Sequence, residues 1–93
     1  MQDLNDLVYF AEVVDRGGFA AAGRALGLPK SRLSRRVAEL EARLGVRLLQ
    51  RTTRKLSLTA VGEQYHRHCV AMREDAQAAQ DAVAQAQTEP RGT

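Results

Sequence analysis

The chain has one cysteine among its 93 residues. No intrachain disulfide can form, so a secreted disulfide scaffold is excluded and a reducing compartment is expected. No apolar run approaches the roughly 18–20 residues that a membrane span requires. The opening Met1-Gln2-Asp3-Leu4 lacks the basic-then-apolar layout of a signal peptide, which makes the cytoplasm the expected location. There is no phosphate-binding glycine loop, no pair of carboxylates at catalytic spacing and no plausible Ser/His/Asp set. The expectation is a protein that is not an enzyme and needs no cofactor. Internal repeats are missing too, and the length rules out a doubly wound dinucleotide fold or a (β/α)8 barrel.

Charge is present and unevenly placed. The formal net charge is +3, but residues 30–55 carry nine basic and two acidic groups, whereas residues 1–29 and 56–93 are each net −2. A cationic segment between two mildly acidic ones points to a polyanion docking on the middle of the chain.

Apolar spacing divides the chain into elements. Leu4, Leu7, Val8, Ala11 and Val14 predict an amphipathic helix over residues 4–16, with Asp3 as its N-cap and Asp6 near the positive end of its dipole. Gly17-Gly18 stops it. A short helix follows over 19–26, burying Phe19, Ala22 and Leu26. Gly27-Leu28-Pro29 is a tight turn into a third helix over 29–44. At about 100° per residue, Leu33, Val37, Leu40 and Leu44 share one narrow arc of that helix, with Ser31 and Arg35 nearly opposite. Gly45 ends it. Residues 46–59 predict two short strands around a basic tip, Arg51-Thr52-Thr53-Arg54-Lys55, although no Asn-Gly or Asp-Gly marks the turn. Thr59 then caps a long Ala/Gln-rich helix over 60–87. Along it Val61, Tyr65, Cys69, Met72, Ala76, Ala79 and Val83 form a seam that implies a second copy of the chain.

The resulting architecture is mainly α: a winged helix-turn-helix of three helices and a β-hairpin wing, followed by a long dimerisation helix. Its physics suits double-stranded DNA. A major groove admits one helix, which must be slim near the bases and cationic toward the phosphates. Ser31 and Ser34 are slim hydrogen-bonding groups. Lys30, Arg32, Arg35 and Arg36 can reach guanine edges or phosphates. Arg51, Thr52, Thr53, Arg54 and Lys55 would place the wing on an adjacent groove or the backbone.

The stretch FAAAGRALGLPKSRLSRRVAELEARLGVRLLQRTTRKLSLTAVGE, residues 19–63, resembles the N-terminal DNA-binding domain of LysR-type transcriptional regulators. The resemblance is carried by Phe19 with Ala20-Ala21-Ala22, Leu26, Ser31, Leu33-Ser34-Arg35, Leu40-Glu41, Leu44-Gly45-Val46, Leu48-Leu49, Arg51 and Leu58-Thr59-Ala60-Val61-Gly62. It implies that the third helix reads the major groove, with Lys30, Ser31, Arg32, Ser34 and Arg35 near the bases and Arg51, Thr53 and Arg54 on the wing. It also implies a homodimer on an interrupted palindrome, with a tetramer open to the intact protein. Residues 1–59 would be the DNA-binding domain, 60–87 the linker helix, and 88–93 the start of a hinge toward an effector domain absent from the chain. A small-molecule effector would act only through that domain. The sequence departs from the family pattern at Gly18 and Ala20, where polar residues are usual, and at Pro29-Lys30, where Ser-Gln is usual.

Blander readings stand beside these. The basic cluster can be a solvated face, with Arg43 and Arg47 pairing Glu39 or Glu41. The long helix can instead serve a protein–protein module. His66, His68 and Cys69 suggest a metal, but the two imidazoles point about 200° apart on a helix, so no metal site is expected. Cys69 reads as packing rather than a redox switch.

Overall fold

The computed structural model describes residues 3–51 and 55–88. Its elements in chain order are α1 (Asn5–Arg16), α2 (Phe19–Leu26), α3 (Lys30–Leu44), β1 (Leu49–Arg51), β2 (Leu56–Leu58) and α4 (Ala60–Thr88). Strands β1 and β2 pair antiparallel with Gln50 opposite Ser57. Helices α1, α2 and α3 pack on one another, and the first half of α4 lies along α1. The second half of α4 projects away, so the molecule is 61 Å long and about 25 Å across. None of the helices is long and apolar enough to cross a membrane among the described residues.

The expected glycine stops hold: α1, α2 and α3 all end on left-handed glycines, Gly17, Gly27 and Gly45. Within the helix-turn-helix, Leu28 N donates back to the carbonyl of Gly23 (3.0 Å). Gly23 has no room for a side chain, because a Cβ there would lie 2.6 Å from the Leu28 carbonyl oxygen. Absence of a side chain at position 23 is what lets α2 sit so close to the turn before α3.

The core joins Phe10, Ala11, Val37, Leu40, Leu48, Leu49 and Cys69, with Val13, Ala22 and Leu33 forming a second cluster beside it. The buried stripe of α1 is rotated from the expected one. Leu4 is 58% exposed, and the buried positions are Asp6, Phe10, Ala11 and Val13. A carboxylate on a buried stripe requires partners, and Asp6 has two: Arg36 Nε donates to its Oδ1 (2.8 Å) and Arg43 Nη2 to its Oδ2 (3.0 Å). Asp3 is not the residue at the cap position of α1, which is Leu4, but its Oδ1 accepts from Asn5 N (2.9 Å) in an Asx turn.

The junction of wing and long helix is built around Thr59. Its backbone N–H donates to the Leu48 carbonyl (3.0 Å), its hydroxyl donates to the Arg47 carbonyl (2.7 Å), and the same oxygen accepts from Gly62 N (2.9 Å). The expected N-cap is therefore made, and it also fastens α4 to the chain entering β1.

Cys69 corrects one expectation. It is completely buried within its own protomer, between α1 and the wing, and so cannot line a seam between two copies. Tyr65 is half-buried on the same core, its ring edge-on to Phe10 with centroids 5.7 Å apart. Apolar periodicity marked both as packing residues but assigned their cover to a second copy, whereas Cys69 is covered wholly, and Tyr65 in part, within the protomer. The surface that covers them there is α1. Burial pushes the Cys69 thiol up to about 11, offset only partly by Arg73. A neutral, occluded thiol is a poor nucleophile. Native protein at neutral pH is expected to leave a thiol-titrating disulfide reagent unreacted, with one equivalent consumed on unfolding in denaturant. Rapid reaction of the folded chain would contradict this burial.

Candidate nucleic-acid interface

Helix α3 has two faces of opposite character. Leu33, Val37 and Leu40 are completely or almost completely buried. Lys30, Ser31, Arg32 and Arg35 are exposed on the other side, and Ser34 is half-buried at the boundary. The helix opens on Pro29, whose carbonyl accepts from Arg32 N (3.1 Å) and Leu33 N (3.2 Å). Leu44, expected in the buried arc, is 39% exposed, because the helix runs past the core at its last turn.

The cations expected to contact DNA fall into separate groups. Lys30, Arg32 and Arg35 make no ion pair among the described residues. Arg36 is committed inward. Its Nη2 lies 2.7 Å from both Asp3 Oδ2 and Asp6 Oδ1, and its guanidinium sits 5.5 Å from the centre of the Tyr9 ring. The hydrogen bond from the Asn5 backbone and the Arg36 guanidinium hold the Asp3 carboxyl below its ordinary range, while hydrogen bonds to Asp6 and Asp3 raise Arg36 further. Arg36, read from sequence as a DNA contact, ties α3 to α1 through these pairs. Arg43 shares that tie and pairs with Asp6, not with Glu39 or Glu41.

Arg51 on the wing stacks over Phe19 at 5.3 Å from the ring centre and lies 4.0 Å from Glu41. It therefore links β1 to the start of α2. Lys55 is exposed just before the returning strand β2. Thr52, Thr53 and Arg54 lie outside the described residues.

Two carboxylates that sequence reasoning missed hold this surface in place. One is Asp6. The other is Glu41, whose Oε2 accepts from the backbone of both Leu48 (2.7 Å) and Leu49 (3.0 Å) in the interior. It satisfies the two amides where the chain enters β1, and so fixes the wing relative to α3. No spacing signal in one sequence announces such a bond.

On α4, Val61 and Met72 are exposed and half-buried, and Ala76, Ala79 and Val83 are all exposed. His66 Nε2 donates to Asp15 (2.9 Å), while His68 is exposed. No group of metal-ligating side chains occurs among the described residues.

Three helices, a tight turn before an outward-facing basic helix, and an antiparallel hairpin define a winged helix-turn-helix with a projecting α4. Residues 4–63 match the model of the bacterial regulatory helix-turn-helix proteins of the lysR family. The chain belongs to that family. It is 52% identical over 90 residues to an HTH-type transcriptional regulator of Xanthomonas campestris pv. campestris (strain 8004), covering 97% of this chain and 26% of the relative. The fold is shared with the BenM_DBD/catB site 1 DNA complex (TM-score 0.86, 24% identity), covering 97% of this chain and 100% of the other. It is also shared with the CbnR_DBD–DNA complex (TM-score 0.78, 33% identity), covering 91% and 98%. This chain thus spans about a quarter of the length of the regulator it matches.

Proposed function

We propose that this chain is the sequence-specific, double-stranded-DNA-binding part of a transcriptional regulator. Helix α3 enters the major groove, the wing follows the adjacent groove or backbone, and two copies join through α4 on an interrupted palindrome. Residues 1–59 form the DNA-binding unit and 60–87 the joining helix, with 88–93 leading toward a hinge, and the protein acts in the cytoplasm. The relative's name as a regulator and the DNA in the CbnR_DBD complex support this reading. The observation that carries it is the outer face of α3, where Lys30, Arg32 and Arg35 stand exposed without an ion pair among the described residues while Leu33, Val37 and Leu40 anchor the helix. Cations left unpaired by folding are available to guanine edges and phosphates. The exposed residues 74–88 of α4, with Val83 59% exposed, support a second copy.

Of the eleven residues read from sequence as DNA contacts, this reading retains Lys30, Ser31, Arg32, Ser34 and Arg35 on α3, and Lys55, Thr52, Thr53 and Arg54 on the wing. Arg36 and Arg51 hold the surface in place. Selection of bound sites from random duplexes tests the whole reading, since it reports half-site, symmetry and spacing together. The double substitution Ser34→Ala, Arg35→Ala is expected to lower affinity for the selected duplex by about 10–100-fold, one good base contact being worth about 1–3 kcal/mol. Sedimentation should be unchanged, because neither residue is on α4. Wild-type affinity that is equal for a scrambled duplex would refute specificity, and an unaffected double variant would refute the placement of α3.

A further inference from the structure

We propose that Arg73 is a positioning residue that fixes the angle at which α4 leaves the winged domain, and so selects the separation between the two half-sites. The inference rests on the dimeric reading above. Arg73 stands at the point of exit: Cys69, one turn earlier, is in the core, and every residue from Glu74 to Thr88 is exposed. From there its guanidinium forks back to α1. Nη1 donates to Glu12 Oε2 (3.0 Å) and Nη2 to Asp15 Oδ2 (2.7 Å). The other oxygen of Asp15 accepts from His66, one side of the helix and two turns earlier (2.9 Å). With both oxygens engaged by α4, the Asp15 carboxylate cannot turn to release either. Partial burial works to raise the Asp15 carboxyl, yet the bonds from Arg73 and His66 hold it below its ordinary range.

The apolar contacts of Tyr65 and Cys69 bring α4 to α1 but are non-directional, whereas a guanidinium fork on two carboxylates specifies geometry. Small angles matter here. The fifteen residues beyond Arg73 reach about 22 Å at 1.5 Å each. A swing of about 10° moves their tip by about 4 Å, comparable to the roughly 3.4 Å that separates neighbouring bases along a strand. An arm that is held admits one spacing, and an arm that rocks admits several.

The test is site selection from random duplexes with the wild-type chain and with Arg73→Met, which keeps the stem and removes the fork. Both should recover the same half-site. Wild type should recover one separation, favoured about tenfold over a duplex one base pair longer. Arg73→Met should spread over neighbouring separations with the preference below about threefold, because geometry governs the gain from simultaneous engagement. Arg73→Lys, able to bond one carboxylate at a time, should fall between. Affinity for a single half-site duplex should stay within about twofold of wild type in all three. A variant that is merely less stable would lose affinity for every duplex and leave the spacing preference intact. Should Arg73→Met fold poorly, Asp15→Asn must give the same broadening. An unchanged single separation in these variants overturns the inference. Wild type recovering lone, unpaired half-sites overturns the dimeric reading itself, and the inference with it.

Discussion

Replacing Gly62 with alanine is expected to lower the melting temperature by about 15 °C, from a loss of about 3 kcal/mol at roughly 5 °C per kcal/mol for a domain of this size. A Cβ at this position would run into the backbone carbonyl of Leu48, with the carbonyl carbon only 2.9 Å away and the Thr59 hydroxyl at 3.1 Å. Two effects oppose each other. Alanine is the better helix former by about 1 kcal/mol. The overlap is with backbone that cannot rotate aside, and Leu48 is itself held by Thr59 and Glu41. The overlap wins. Gly18→Ala is the control: nothing lies within 4 Å of its Cβ position and its φ of 162° is extended backbone. That variant should melt within about 3 °C of wild type, as surface substitutions do. A Gly62→Ala chain as stable as Gly18→Ala would show that α4 does not seat this closely on β1.

Glu41→Ala is expected to cost about 3–4 kcal/mol in urea denaturation. Removing the carboxylate strands two buried amide donors, those of Leu48 and Leu49, and each orphaned donor costs about 1–3 kcal/mol. The companion variant separates hydrogen bonding from charge. Glu41→Gln keeps an acceptor oxygen of the same reach, so it should lose only about 1 kcal/mol, the difference between a charge-assisted and a neutral bond. Loss of the pairing with Arg51 adds little, since that guanidinium is 4.0 Å away and partly exposed. Equal losses in the two variants would mean that the amides are not what Glu41 secures. Because the wing hangs from these two bonds, Glu41→Ala should also loosen the wing relative to α3.

What could be read in the sequence was what local chemistry decides. Helix α2 was placed to the residue, and α3 and α4 to within one, because glycine stops, Pro29 and the Thr59 cap act over a few positions. The face of α3 was legible because the 3.6-residue period separates Leu33, Val37 and Leu40 from Ser31 and Arg35. What was not legible depends on partners far along the chain. Asp6 belongs to the buried stripe of α1 only because Arg36 and Arg43 arrive 30 and 37 residues later. Glu41 is interior only because two strand amides need an acceptor. Without those partners a carboxylate reads as surface, which is the better guess for either residue alone. The seam on α4 needs one change of the same origin: Cys69 is fully covered by neighbours within the chain and Tyr65 is half covered by them, while Val61 and the stretch beyond Arg73 stay exposed.

The inward pairing of Arg36 and Arg43 changes what the molecule's cationic segment is worth to a polyelectrolyte. A protein draws mobile ions off a nucleic acid in proportion to the positive groups it can lay against phosphates. Guanidiniums already neutralised by the fixed carboxylates of Asp3 and Asp6 displace few of them. The ionic-strength sensitivity of nucleic-acid binding is accordingly expected to be gentler than nine basic residues between positions 30 and 55 would suggest, because fewer of those charges are left to face phosphates.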